Sequence, residues 1–222
     1  MATSQLEIYN GALLLCKQRF LASTSEEVEA RRLLDHVWDS RGREACLEQA
    51  GWNFAIRTIE LASDPAIGPD FGYQSGFTRP TDFITLVELS QDEYFTYPLT
   101  RFKDEAQIWY ADQDPIYVSY VSDDPAYGLN MANWPESFTN YVKAYFAGQI
   151  VLKLTGVEPK VVEFLHGPPG HPRRGWVERK LREAKSKDAR LDTVKFPKPG
   201  SWNLARWGRK RGDRGNTGSL IG

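Results

Sequence analysis

Apolar positions recur at a helical period over the first fifty residues, then change character. Ser4-Gln-Leu-Glu7 has the form of a capping box, in which the Ser and Glu side chains satisfy backbone N–H groups of the first turn, so a helix is predicted to begin there. Leu6, Tyr9, Leu13, Cys16 and Phe20 continue at helical spacing, and Ile8, Ala12 and Leu15 widen the stripe. Thr24-Ser-Glu-Glu27 repeats the start signal. It is predicted to open a second helix, with Ala30, Leu33, Leu34, Val37 and Trp38 on one face and Arg31, Arg32, Asp35 and Asp39 on the other. That helix is expected to run to about Ala50, with Gly51 as its C-cap. Two amphipathic helices joined by a short loop make an antiparallel hairpin.

From Trp52 to Leu61 the residues become aromatic and β-branched, which reads as a strand. Asp64-Pro65, Gly68-Pro69, Arg79-Pro80, Tyr97-Pro98, Asp114-Pro115 and Asp124-Pro125 then mark turns. Between them, Phe83–Leu89, Tyr94–Leu99, Gln107–Ala111 and Ile116–Val121 are predicted strands of one small antiparallel sheet. Asn133-Trp-Pro-Glu136 restarts a helix, because proline is tolerated in a first turn. Phe138, Tyr141, Val142, Tyr145 and Ile150 give it an apolar surface wider than one stripe, so it is expected to be the most buried helix, ending at Thr155-Gly156. Glu158-Pro159 opens a fourth helix. The prolines and glycines of His166–Gly175 interrupt it, and Trp176–Leu191 resumes it with Val177, Leu181 and Ala184 as a thin apolar line.

The fold class expected from this pattern is α+β: an antiparallel bundle of about four helices with an inserted small antiparallel β-sheet region and an extended C-terminal tail. Residues 1–51 and 132–192 would form the bundle, 52–131 the β region, and 193–222 the tail.

With 41% hydrophobic residues the chain can build a core. No apolar run reaches the length of a membrane span, and the first residues lack the basic and apolar stretches of a signal peptide. The formal charge of -1 conceals an asymmetry. Up to Pro159 there are 12 Lys/Arg against 23 Asp/Glu, and from Lys160 onward 16 against 6. Such a chain can present an acidic surface at one end and a basic one at the other, which suits head-to-tail contact or a nucleic-acid contact at the basic end.

Catalytic and cofactor signatures are absent. There is no phosphate loop, no dinucleotide fingerprint and no His-Glu-x-x-His. His166 and His171 flank a proline-rich loop and would need a further ligand to hold a metal. Asp112, Asp114, Asp123 and Asp124 each lie close to a proline, where turn chemistry explains them. Cys16 and Cys46 fall in helical segments and read as small buried apolar residues. Ser75 does not sit in a nucleophile elbow. No enzyme activity, cofactor or metal is expected. The aromatic residues crowd the β region; they read either as sheet core or as a protein–protein surface, since aromatic side chains with a polar tip are enriched at interfaces.

The order of the segments carries more than any one of them. "EQAGWNFA" (Glu48–Ala55) closes a helical hairpin, "RPTDFITLVEL" (Arg79–Leu89) and "PIYVSYVSD" (Pro115–Asp123) follow, and "NWPESFTNYVKAYFAGQIVLKLTG" (Asn133–Gly156) leads into a long helix. Over about residues 4–190 this series resembles the tail tubular, or head-to-tail adaptor, proteins of short-tailed bacteriophages. The resemblance departs from the family at the His166–Gly175 break, where the family keeps a continuous last helix, and the basic tail after Lys195 matches no family motif.

The resemblance implies a structural virion protein at the head-tail junction, made in the host cytoplasm. Its partners would be further copies in a homo-oligomeric ring, a dodecamer, together with the portal protein, the tail nozzle protein and tail fibres or appendages. Genomic DNA would pass through the channel during ejection without specific binding, and no membrane would be involved. Within that role, Tyr94, Phe95, Tyr97, Trp109 and Tyr110 are candidates for the nozzle or fibre interface. The tail would dock on the portal, with Trp202, Leu204 and Trp207 as anchors, Arg206, Arg209, Lys210 and Arg211 meeting carboxylates, and Leu220 and Ile221 pinning the end. The alternative is a nucleic-acid-binding protein that uses Arg173–Lys187 and Arg206–Arg214, with Trp202 and Trp207 stacking on bases.

Overall fold

The computed structural model describes residues 4–68, 72–154 and 157–191. Helix α1 spans Gln5–Leu15, and Ser4 caps it by accepting the Glu7 N–H at 3.2 Å. The second start signal acts differently. The Glu26 carboxylate accepts from Ala22 N at 2.9 Å and from Arg19 at 2.5 Å, so it holds the connecting loop. Helix α2 therefore begins later, at Glu29, and ends at Asp39. Asn10 pins the same loop by bonding both the N–H and the C=O of Leu21.

The expected run to Ala50 is broken. Arg41 takes a left-handed conformation (φ 60°), and a separate short helix α3 follows, Gly42–Leu47. A Cβ at residue 42 would lie 2.5 Å from the Val37 carbonyl oxygen, so the break needs a glycine there.

Six strands follow: β1 Ile56–Leu61, β2 Ser75–Thr78, β3 Phe83–Ser90, β4 Phe102–Glu105, β5 Ile108–Ala111 and β6 Ile116–Ser122. They form two sheets, each three-stranded and antiparallel, in the orders β1-β6-β3 and β2-β5-β4. Ala106 and Gln107 both have positive φ, the geometry of a tight two-residue hairpin joining β4 to β5. Ile116, Val118 and Tyr120 alternate on one face of β6 and share a core with Phe77, Leu89, Trp109 and Ala111. Val121 belongs instead to the helical core, with Leu47, Trp52 and Ala55.

Helix α4, Glu136–Ile150, is the central helix, buried on most of its circumference and in contact with α1 and α2. Helices α5 (Pro159–His166) and α6 (Trp176–Asp188) pack on it and on each other. Gly167 (φ 84°) ends α5, and His166 Nε2 lies 3.0 Å from the Gly148 carbonyl.

These observations correct the expected architecture. The described residues form six helices and two small sheets, where about four helices and one sheet were expected; the mixed α and β content is consistent with the expectation. The turn at Arg41 splits one expected helix, the interruption expected at His166–Gly175 separates α5 from α6 as distinct helices, and β2 and β4 pair only with β5, which makes a second sheet. Tyr94–Leu99 is not a strand. Asp92 captures the N–H groups of Thr96 and Tyr97 at 3.0 and 2.9 Å and folds the segment into a loop. The expected helix end at Thr155-Gly156 and the tail from 193 lie outside the described residues.

Candidate functional site

The segments that carry the family resemblance meet at the junction of helices and sheet. Trp52 is buried, its indole donates to the Cys46 carbonyl at 3.2 Å, and its ring stands 4.9 Å from Phe138. Phe54 and Trp134 approach the same phenylalanine at 4.8 and 5.1 Å. Asn53, between the two aromatics, holds the end of α6: its backbone N–H and side-chain amide both bond Asp188. Trp134 donates to the Gly128 carbonyl at 2.7 Å. One aromatic cluster thus joins "WNF" to "NWPESF".

Asp82, from "RPTDF", makes the matching polar knot. It accepts from Ser122 Oγ at 2.5 Å, Arg57 Nη1 at 2.8 Å and the Tyr120 hydroxyl at 3.0 Å. Burial raises the Asp82 pKa, but the hydrogen bonds from Ser122, Arg57 and Tyr120 outweigh it and the net shift is downward. Burial, together with the bond to this carboxylate, pushes the Tyr120 phenol up. The cluster ties β1, β6 and the start of β3 together.

The other carboxylates singled out in the sequence also hold loops. Asp114 accepts from Ser63 N and Oγ, Asp112 pairs with Arg101 at 3.0 Å, Asp123 with Arg41 at 2.9 Å, and Asp124 receives Ala126 N at 2.7 Å. Among the described residues no three His, Cys, Asp or Glu side chains gather as a metal site. Cys16 and Cys46 are free and buried, and burial raises both thiols, Cys16 to about 11.

The aromatic candidates divide. Tyr94 and Tyr97 are 80% and 62% exposed on the Asp92 loop. Asp92 also accepts from Ser90 Oγ at 2.7 Å; desolvation pushes its carboxyl up, but the bonds from Tyr97, Ser90 and Thr96 together outweigh it and hold the carboxyl down at about 2. Phe95, with positive φ, and Tyr110 are half-buried. Trp109 is a correction: it is fully buried among Phe77, Phe83 and Tyr120, and Arg79 lies over its ring, so it is a core residue and not an interface one. Trp202, Leu204, Arg206, Trp207, Arg209, Lys210, Arg211, Leu220 and Ile221 lie outside the described residues.

One further surface went unread in the sequence, a groove of about 380 Å³ between α1 and α5, where Leu14 and Phe164 are exposed. Its signal was available: both are apolar residues off their helix's stripe. The Arg173–Lys187 stretch offered for nucleic acid forms the turn before α6 and its outer face, where Arg173, Arg174, Arg179 and Arg182 are exposed, and Arg190 is exposed just after the helix. Lys180 and Lys187 are instead drawn to Glu183, whose carboxyl their hydrogen bonds and charges pull down to about 2.

No family model and no curated protein matches this chain. Among the described residues no helix is long and apolar enough to cross a membrane.

Proposed function

We propose that this chain is a ring-forming head-to-tail adaptor of a short-tailed phage, a non-enzymatic virion subunit that joins the portal to the tail nozzle and continues the DNA channel. The observation that supports the reading is the junction. The four segments that carry the resemblance, far apart in sequence, converge through Trp52, Phe138, Asp82 and Tyr120. Motifs whose task is to lock a sheet onto a helical layer are those a scaffold subunit needs, since a ring subunit must hold its contact faces at a set angle. The test is light-scattering mass of the purified chain, alone and mixed with its phage's portal protein. A defined multimer on the portal is expected; a monomer that never joins the portal refutes the reading.

A second reading rests on the exposed arginines of α6, which suit a phosphate backbone. A gel-shift titration with duplex DNA at low and high salt tests it: a salt-sensitive shift supports nucleic-acid binding, and no shift at low salt removes it.

A further inference from the structure

Two of the exposed apolar sites among the described residues differ in form, one a groove and the other a loop. The concave one is the groove lined by Leu14, Leu15, Lys17, Lys160, Val161 and Phe164. Leu14 is 62% and Phe164 46% exposed, and the Phe164 ring is held by stacking on Trp176 at 5.1 Å. The rim is positive. Lys17 reaches Glu158 only at 3.6 Å with both side chains largely exposed, and Lys160 is exposed with no ion-pair partner among the described residues. The convex site is the loop after β3, with Glu93, Tyr94 and Tyr97 exposed and Asp92 fixing its shape.

The two sites lie at opposite ends. Register pairs Phe83 with Ser122 and Ser90 with Tyr117. The Ser122 end is the one beside the helices, where Asp123 meets Arg41 and Val121 joins the helical core, so the loop that follows Ser90 stands at the far end. The sheet abuts the start of α4, around Phe138. The groove is flanked by α5, which meets the end of α4 through His166 and Gly148.

We propose that the Glu93–Tyr97 loop of one copy seats in the Leu14–Phe164 groove of the next, with Tyr94 and Tyr97 on the apolar floor and Glu93 against Lys17 and Lys160. The inference rests on the ring reading above and names the contact that would build the ring. Two unlike patches at opposite ends make a heterologous contact, which closes into a ring when the rotation per step allows. Tyrosines bring large contact area with few rotatable bonds, and opposite charges at the rim set the register.

The test is charge reversal in the full-length chain. Mass photometry of the chain alone at high concentration, and bound to portal, is compared for wild type, Lys17→Glu/Lys160→Glu, and that variant carrying Glu93→Lys as well. Loss of the multimer in the double variant at unchanged Tm, and its return in the triple variant, supports the contact. A multimer that ignores the double reversal overturns it, as does a reversal that Glu93→Lys fails to rescue. A Tyr94→Ala/Tyr97→Ala variant that assembles normally but loses the nozzle protein also overturns it and assigns the loop to the nozzle. A wild type that multimerises with this charge dependence yet never binds portal keeps the contact and sinks the adaptor reading. A wild type that stays monomeric in both settings sinks both.

Discussion

Asp82 shows how one residue can hold a junction. Its carboxylate takes hydrogen bonds from β1 and β6 while its own chain leads into β3. Asp82→Ala removes the acceptor for Tyr120, Ser122 and Arg57, and is expected to destabilise the fold by about 1.5–3 kcal/mol, the range for hydrogen bonds to a charged group. The sign of the pH dependence follows from the lowered pKa. The stabilisation is fully present above the ordinary value of 3.8 and is lost as pH falls through the lower folded-state value. Urea unfolding of wild type and variant is therefore expected to differ most at neutral pH and to converge in acid; a gap that widens on acidification refutes the assignment. Tyr9 is a smaller case. It is buried on α1, yet its hydroxyl donates at 2.8 Å to Asp35, which the helical pattern of α2 places on the polar face.

Among the elements, the Asp92 loop and the α5–α6 turn carry the sharpest expectations. Asp92→Ala releases the Thr96 and Tyr97 amides. Chymotrypsin cleavage after Tyr94 and Phe95 is expected to accelerate several-fold, while the global Tm hardly moves because the loop lies outside both cores. In wild type the carboxyl is held down at about 2, so protection of the loop against pepsin, a protease active in acid, is expected to persist at pH 4 and to fade only as pH falls toward that value. Protection already lost at pH 4 would show that Asp92 does not hold the loop. In the other turn, Gly167 has φ 84° and a Cβ there would lie 2.7 Å from the His171 carbonyl oxygen. Gly167→Ala is expected to cost more than about 1 kcal/mol in denaturant melts, since the native conformation disfavours a side chain and no room exists for one.

For the whole molecule, the tail gives the most direct experiment. Trp202–Gly222 is rich in glycine and cations and cannot build a core of its own. Deleting it is expected to leave a cooperative unfolding transition and to abolish assembly onto the portal, measured by co-sedimentation with portal rings. Normal co-sedimentation of the truncated chain would remove the tail from the portal contact. Under the proposed adaptor reading, this and the charge-reversal series distinguish docking on the portal from contact between copies.

Helical periodicity, capping residues and proline punctuation by themselves located α1 and α4, because those signals are set by neighbours within a turn or two; the strand expected from Trp52 begins only at Ile56, after a 3-10 turn at Asn53–Ala55. Strong β-branched runs likewise exposed β1, β3 and β6. Local pattern did not reveal the break at Arg41, which depends on Gly42 lying against Val37, nor β2 and β4, whose short sequences become strands only by pairing with β5. It read Tyr94–Leu99 as a strand because alternation of aromatics looks the same in a loop until Asp92 claims the amides. It offered Trp109 and Tyr94 as equals. Only the tertiary fold, by laying one sheet on the other, buried the first and left the second in solvent, because burial depends on which surfaces meet and not on the residue that supplies them.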